Sequence, residues 1–134
     1  MTADAVHPSV IVGLMSGTSL DGIAAAAVRF VPDGDGERPQ LLAFRGVAYT
    51  PEQRARLGAA MVEGRAQEFC RLNVDLGHWL ADAALGVMHD AGVGPADVCA
   101  IASHGQTLWH EPGHSTWQIG DAATIAERTG CTVI

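Results

Sequence analysis

Apolar positions along this chain come in two kinds of run, and the change between them divides the sequence. Up to residue 49 they are short, rich in β-branched residues and closed by turn chemistry. Val10–Met15 ends in a Ser/Gly/Thr cluster and predicts a buried strand and a tight turn. Gly22–Phe30 has an ambiguous period, but the turn before it and Val28, Phe30 and Val31 at its end favour a strand paired with the first. Pro32–Pro39 (P-D-G-D-G-E-R-P) predicts an exposed turn, and Gln40–Tyr49 a third strand.

From Thr50 the spacing becomes helical. Thr50, Pro51 and Gln53 form an N-cap, a first helical residue and a capping-box partner, opening a helix to about Met61. Within Gln67–Asp90, Phe69, Leu72, Leu76, Leu80, Ala83 and Val87 share one helical face, and Gly92 and Gly94-Pro95 end it. Val98–Ala102 predicts a buried strand running into a loop at Ser103–Thr107, and Thr116–Ile119 a brief strand. Asp121–Arg128 predicts a helix closed by Gly130, with Cys131–Ile134 opening another strand. The order is a three-stranded meander followed by alternating helices and strands, an α/β layered domain. An apolar strand start makes a poor terminus, so the sequence reads as part of a longer one.

Charge and composition then remove whole classes of function. The formal net charge is -7, and the eight basic residues are scattered singly. Neither a nucleic acid nor an anionic membrane surface is an expected partner, since each needs concentrated positive charge. All eight basic residues are Arg, so a Walker-type loop and any lysine chemistry are excluded. Phosphate binding must rest on backbone N–H groups, hydroxyls, Arg or a metal. Val10–Met15 is too short for a signal-peptide core or a membrane span, which makes the cytoplasm the expected compartment. Cys70, Cys99 and Cys131 have no metal-ligand spacing and are expected to be reduced, buried thiols.

Two segments carry candidate chemistry. In Gly13–Gly22 (G-L-M-S-G-T-S-L-D-G), glycines let the backbone approach a ligand and aim N–H groups at it. The hydroxyls of Ser16, Thr18 and Ser19 can add bonds to phosphate oxygens. Asp21 would repel phosphate directly, so its sensible role is to hold Mg²⁺, directly or through water. An ordinary hairpin with a small-residue turn is the competing reading. Ser103-His104-Gly105-Gln106-Thr107 follows a buried strand, where α/β sheets gather ligands, and offers donors and acceptors suited to sugar hydroxyls. A polar loop with a satisfied histidine competes with that reading. A zinc site on His104, His110 and His114 is disfavoured, because Pro112 and Gly113 break the helix that its spacing would need.

G-L-M-S-G-T-S-L-D-G-I (13–23), A-S-H-G-Q-T-L-W-H-E-P (102–112) and Q-I-G-D-A-A-T-I-A-E-R-T-G-C-T-V (118–133) resemble anhydro-N-acetylmuramic acid kinase, as does L-N-V-D-L-G-H-W-L-A-D-A (72–83). The resemblance covers nearly the whole chain in order. It implies membership of the actin/Hsp70/hexokinase-like ATPases: two related ribonuclease-H-like domains, each a mixed sheet with flanking helices, with nucleotide in the cleft between them. Residues 1–134 would then be the amino-terminal actin-like ATPase domain, incomplete at its C-terminus, with the second domain absent.

The activity implied is ATP-dependent phosphorylation of 1,6-anhydro-N-acetylmuramic acid with ring opening to N-acetylmuramic acid 6-phosphate, in peptidoglycan recycling. The resemblance places ATP-phosphate contacts on Gly17, Thr18, Ser19, Leu20, Asp21, Gly22 and Ile23. It makes Ser103, His104, Gly105, Gln106 and Thr107 candidates for the amino sugar, and a homodimer is often seen in the family's full-length proteins. The expected catalytic base lies beyond Ile134, so these residues alone are expected to be inactive. Asp75, Asp82 and Asp121 read as helix-surface or capping acids. Ala24 stands where the family usually has an acid. A non-catalytic phosphate- or nucleotide-binding domain, a decayed gene product, and an ATPase acting on another acceptor remain open alternatives.

Overall fold

A computed structural model describes residues 9–134. Strands β1 (Ser9–Ser16), β2 (Gly22–Asp33) and β3 (Gly36–Ala48) form an antiparallel meander, and helices α1 (Pro51–Glu63) and α2 (Ala66–Ala91) follow. A short 3₁₀ turn leads into β4 (Val98–Glu111), β5 (Ser115–Ile119) and helix α3 (Ala122–Thr129). The sheet order is β3-β2-β1-β4-β5. β1 lies antiparallel to β2 and parallel to β4. A parallel neighbour requires a crossover, and α1 and α2 supply it. This is an α/β fold, a mixed five-stranded sheet with flanking helices.

The alternation along β1 and β2 decides where the helices go. Val10, Val12 and Leu14 of β1 and Ile23, Ala25 and Ala27 of β2 are buried on one face. Leu72, Leu76, Leu80, Ala83, Ala84 and Val87 of α2 are buried in the same core, with Leu57 of α1 and Ile125 of α3. Burying each large aliphatic chain is worth roughly 1.5–3 kcal/mol before ordering costs, so this face dominates the stability. α3 seats against Gly77 of α2, where a Cβ would come within 3.0 Å of the Asp121 carbonyl and Thr124 Cβ.

Both long helices match their sequence signals within about two residues. Thr50 caps α1 with its side chain, and Gln53 answers it, completing the capping box. The last strand also begins as expected: Val133 bridges to Ile101 in parallel, and Ile134 N–H donates to the Ile101 carbonyl.

Three expectations are corrected. The turn expected at Pro32–Pro39 shrinks to the two residues between Asp33 and Gly36, because the β2–β3 ladder continues to that pair. Pro39 is accommodated opposite Phe30 because β3 is an edge strand of the described sheet. Ser103–Thr107 is not a loop: β4 runs on to Glu111 and returns through a hairpin as β5, with Gly113 at φ +78° in the turn. Cys70 and Cys99 are exposed, and only Cys131 is buried. Cys99 points outward between buried Val98 and Ala100, as strand alternation requires, and Cys70 lies on the outer face of α2.

Candidate active site

Because β1 and β4 run parallel, the carboxyl end of β1 meets the middle of β4. Ser16 pairs with Gln106 across the ladder, after an irregularity that follows the Leu14–Ser103 pair. The two segments singled out in the sequence therefore converge in part: the Gly17–Gly22 loop leaves β1 beside Gly105 and Gln106. Gly105 lets β5 close tightly against β4 at this point. Its φ is +67°, and a Cβ there would sit 2.3 Å from the Ile119 carbonyl oxygen.

The loop itself is tightly turned. Leu20 N–H donates to the Gly17 carbonyl at 3.1 Å. Leu20 takes φ +56°, the one non-glycine residue in the left-handed region among those described. Gly22 enters β2 so close to β3 that a Cβ would lie 2.1 Å from the Val47 carbonyl oxygen. Thr18 and Ser19 are exposed, and Ile23 is buried in the core. The Asp21 side chain is 77% exposed, with its carboxylate 3.9 Å from Arg54 of α1. Arg54 also donates to the Ser19 carbonyl at 3.4 Å. Arg54 went unremarked in the sequence because it lies 33 positions beyond Asp21, and only the β2–β3 hairpin brings it back.

Ser16 does not offer its hydroxyl to a ligand. It is 1% exposed, and its Oγ donates to Gln106 Oε1 at 2.5 Å and lies 2.6 Å from the Tyr49 hydroxyl. Gln106, expected to face a sugar, is 0% exposed, and its Nε2 donates to the Thr107 carbonyl at 3.1 Å. Burial raises the Tyr49 phenol above its ordinary value. The Tyr49 ring meets Trp79 edge-on, centroids 5.9 Å apart.

The other candidate residues disperse. His104 lines an open groove of about 640 Å³ with Gly13, Met15, Ala24 and Phe44, on the sheet face opposite the helices. Ser103 stands opposite buried Leu14 and two residues after buried Ile101, so it faces the helix side, and its Oγ is buried without a hydrogen-bond partner among the described residues; His104 is exposed. Ala24 sits on the same face as the groove. Thr107 Oγ1 accepts a long bond of 3.5 Å from Gln118 Nε2.

The acids behave as the sequence suggests: Asp75 pairs with Arg56, Asp82 with Arg128, and Asp121 caps α3 by accepting from Thr124 N–H. His110 bonds Thr116, His114 bonds Ser115, and no group of three or more metal-binding side chains occurs among the described residues. No described helix is long and apolar enough to cross a membrane.

A family model described as anhydro-N-acetylmuramic acid kinase matches residues 9–134. A protein of that name from Xanthomonas campestris pv. campestris is 44% identical over 133 residues, covering 94% of this chain and 35% of the relative. The one from Caldanaerobacter subterraneus subsp. tengcongensis is 38% identical over 136 residues, covering 93% and 34%. The one from Vibrio vulnificus is 36% identical over 129 residues, covering 92% and 34%. The chain thus spans about a third of the length of the curated relatives it matches.

Proposed function

Because this chain belongs to the anhydro-N-acetylmuramic acid kinase family, we propose that it supplies one side of an ATP-dependent sugar-kinase site. The whole enzyme's reaction would be phosphorylation of 1,6-anhydro-N-acetylmuramic acid with ring opening, in the cytoplasm, during peptidoglycan recycling. The observation that carries the reading is that the Gly17–Ile23 turn leaves the carboxyl end of β1 beside Gly105–Gln106 of the parallel strand β4.

The residues present suit a nucleotide's phosphates. The turn exposes the hydroxyls of Thr18 and Ser19 beside backbone N–H groups, and Arg54 is the nearby cation in a chain without Lys. Asp21 is exposed enough to bind a metal through water. Bound Mg·ATP would supply the phosphoryl group. This chain's residues would hold and orient it: Gly22 and Leu20 set the turn, Thr18 and Ser19 donate to phosphate oxygens, and Arg54 offsets charge. Ser103 and His104 remain the sugar-side candidates, in a second domain's company. The general base is not among Asp75, Asp82 and Asp121, each of which is engaged in a structural bond.

The test is a graft. Residues 9–134 replace the matched segment of the Xanthomonas relative, and ATP consumption is followed with the anhydro-sugar. The graft should turn over, the 134-residue chain alone should give no measurable turnover, and Asp21→Ala in the graft should lower activity at least tenfold. A folded graft that binds Mg·ATP without consuming it would make this a binding domain.

A further inference from the structure

Resting on the phosphate-loop reading, we propose that Tyr49 and Gln106 are positioning residues that fix the loop through one buried hydroxyl, that of Ser16. Ser16 ends β1 and directly precedes Gly17, so its orientation sets where the loop begins. Three elements meet on it: β1 through its own backbone, β4 through Gln106, and the β3–α1 junction through Tyr49.

The polarity of this cluster is determined. Gln106 Nε2 donates to the Thr107 carbonyl, which turns Oε1 toward Ser16. An amide oxygen only accepts, so the single Ser16 proton goes to Gln106. Tyr49 must then donate its phenolic proton to Ser16 Oγ. All three side chains have one consistent arrangement, and a polar network of this kind specifies a single geometry.

Tyr49 also reaches the far end of the loop. Its backbone N–H donates to the Asp21 carbonyl at 3.1 Å. One residue therefore holds both ends, with its side chain before Gly17 and its main chain at Asp21. Trp79 packed on the ring and the positive φ of Gly105 fix the two partners in turn. Between these anchors the turn has the internal bond from Leu20 to Gly17 and the Arg54 contact to Ser19. A loop of small residues held this way presents its N–H groups already aimed, so ligand binding need not order it.

The experiment uses the 134-residue chain with Tyr49→Phe, Gln106→Leu and Ser16→Ala. Amide hydrogen exchange is read by NMR without ligand, and Mg·ATP is titrated separately. Each variant should speed exchange of the Leu20 amide about tenfold while Leu76 and Leu80 keep wild-type rates, and should weaken Mg·ATP binding about three- to tenfold. Tyr49→Phe should add little in the Ser16→Ala background, because both act on one hydroxyl. The inference is overturned if loop and core amides accelerate together, if the two substitutions add fully, or if the loop loosens while Mg·ATP affinity stays unchanged. Tyr49→Phe, which removes one oxygen, keeps the test readable should Gln106→Leu not fold. A wild-type chain that ignores Mg·ATP sinks the phosphate reading and the functional half of this inference with it. Wild-type binding with variants that behave like wild type sinks the inference alone.

Discussion

Tyr49 holds its proton more tightly in the folded chain than in the unfolded one, because burial disfavours the phenolate. A group whose value is raised on folding contributes stability below its unfolded value, here about 10, and loses it as pH rises through the raised one. At neutral pH the wild type should exceed Tyr49→Phe by about 0.5–1.5 kcal/mol, the usual worth of a lost hydrogen bond. Urea melts of both should show that gap closing above pH 10; a gap constant from pH 7 to 11 would mean that the phenol takes no part. The small residues of the loop were legible in the sequence, but their roles were not. Ser16 and Thr18 are both hydroxyl residues of the motif, and only burial separates the anchor from the exposed donor. Gln106 looked like a ligand group for the same reason: an amide's chemistry is visible in a sequence, while the direction it points depends on the β1–β4 register.

Helix α1 carries the loop's outer contact, so its start is an element-scale determinant. Thr50 Oγ1 accepts from Gln53 N–H at 3.2 Å, and Thr50 N–H donates to Gln53 Oε1 at 2.9 Å. Thr50→Ala removes one of these bonds and should cost about 1 kcal/mol of stability in a denaturant melt. A change below a few tenths of a kcal/mol would show that tertiary packing alone holds this end. Capping chemistry and the helical period of α2 were readable because both are local. β4 was not: its continuation to Glu111 depends on pairing with β5 and on Gly105 taking a positive φ, which no residue nearby announces. The β2–β3 hairpin was underestimated likewise, since Pro39 is acceptable only on an edge strand.

At the scale of the whole molecule, one sheet face is covered by α2 and the other carries Gly13, Ala24 and Ala26 with Phe44 64% and Met15 53% exposed. Of the sugar candidates, His104 falls on this open face, whereas Ser103, opposite Leu14, faces the helices. Fold class was legible because a meander followed by a helical crossover leaves few topologies. Which residues share a surface was not, because strand alternation sends neighbours such as Ser103 and His104 to opposite faces. The central claim is that the Gly17–Ile23 turn grips nucleotide phosphate. Backbone amide shifts of the 134-residue chain, followed by NMR as Mg·ATP is added, test it most directly. The account predicts saturable shifts greatest at Gly17–Ile23, with a smaller response at Gly105 and Gln106. Shifts confined to other surfaces, with the turn unmoved at saturation, would contradict it.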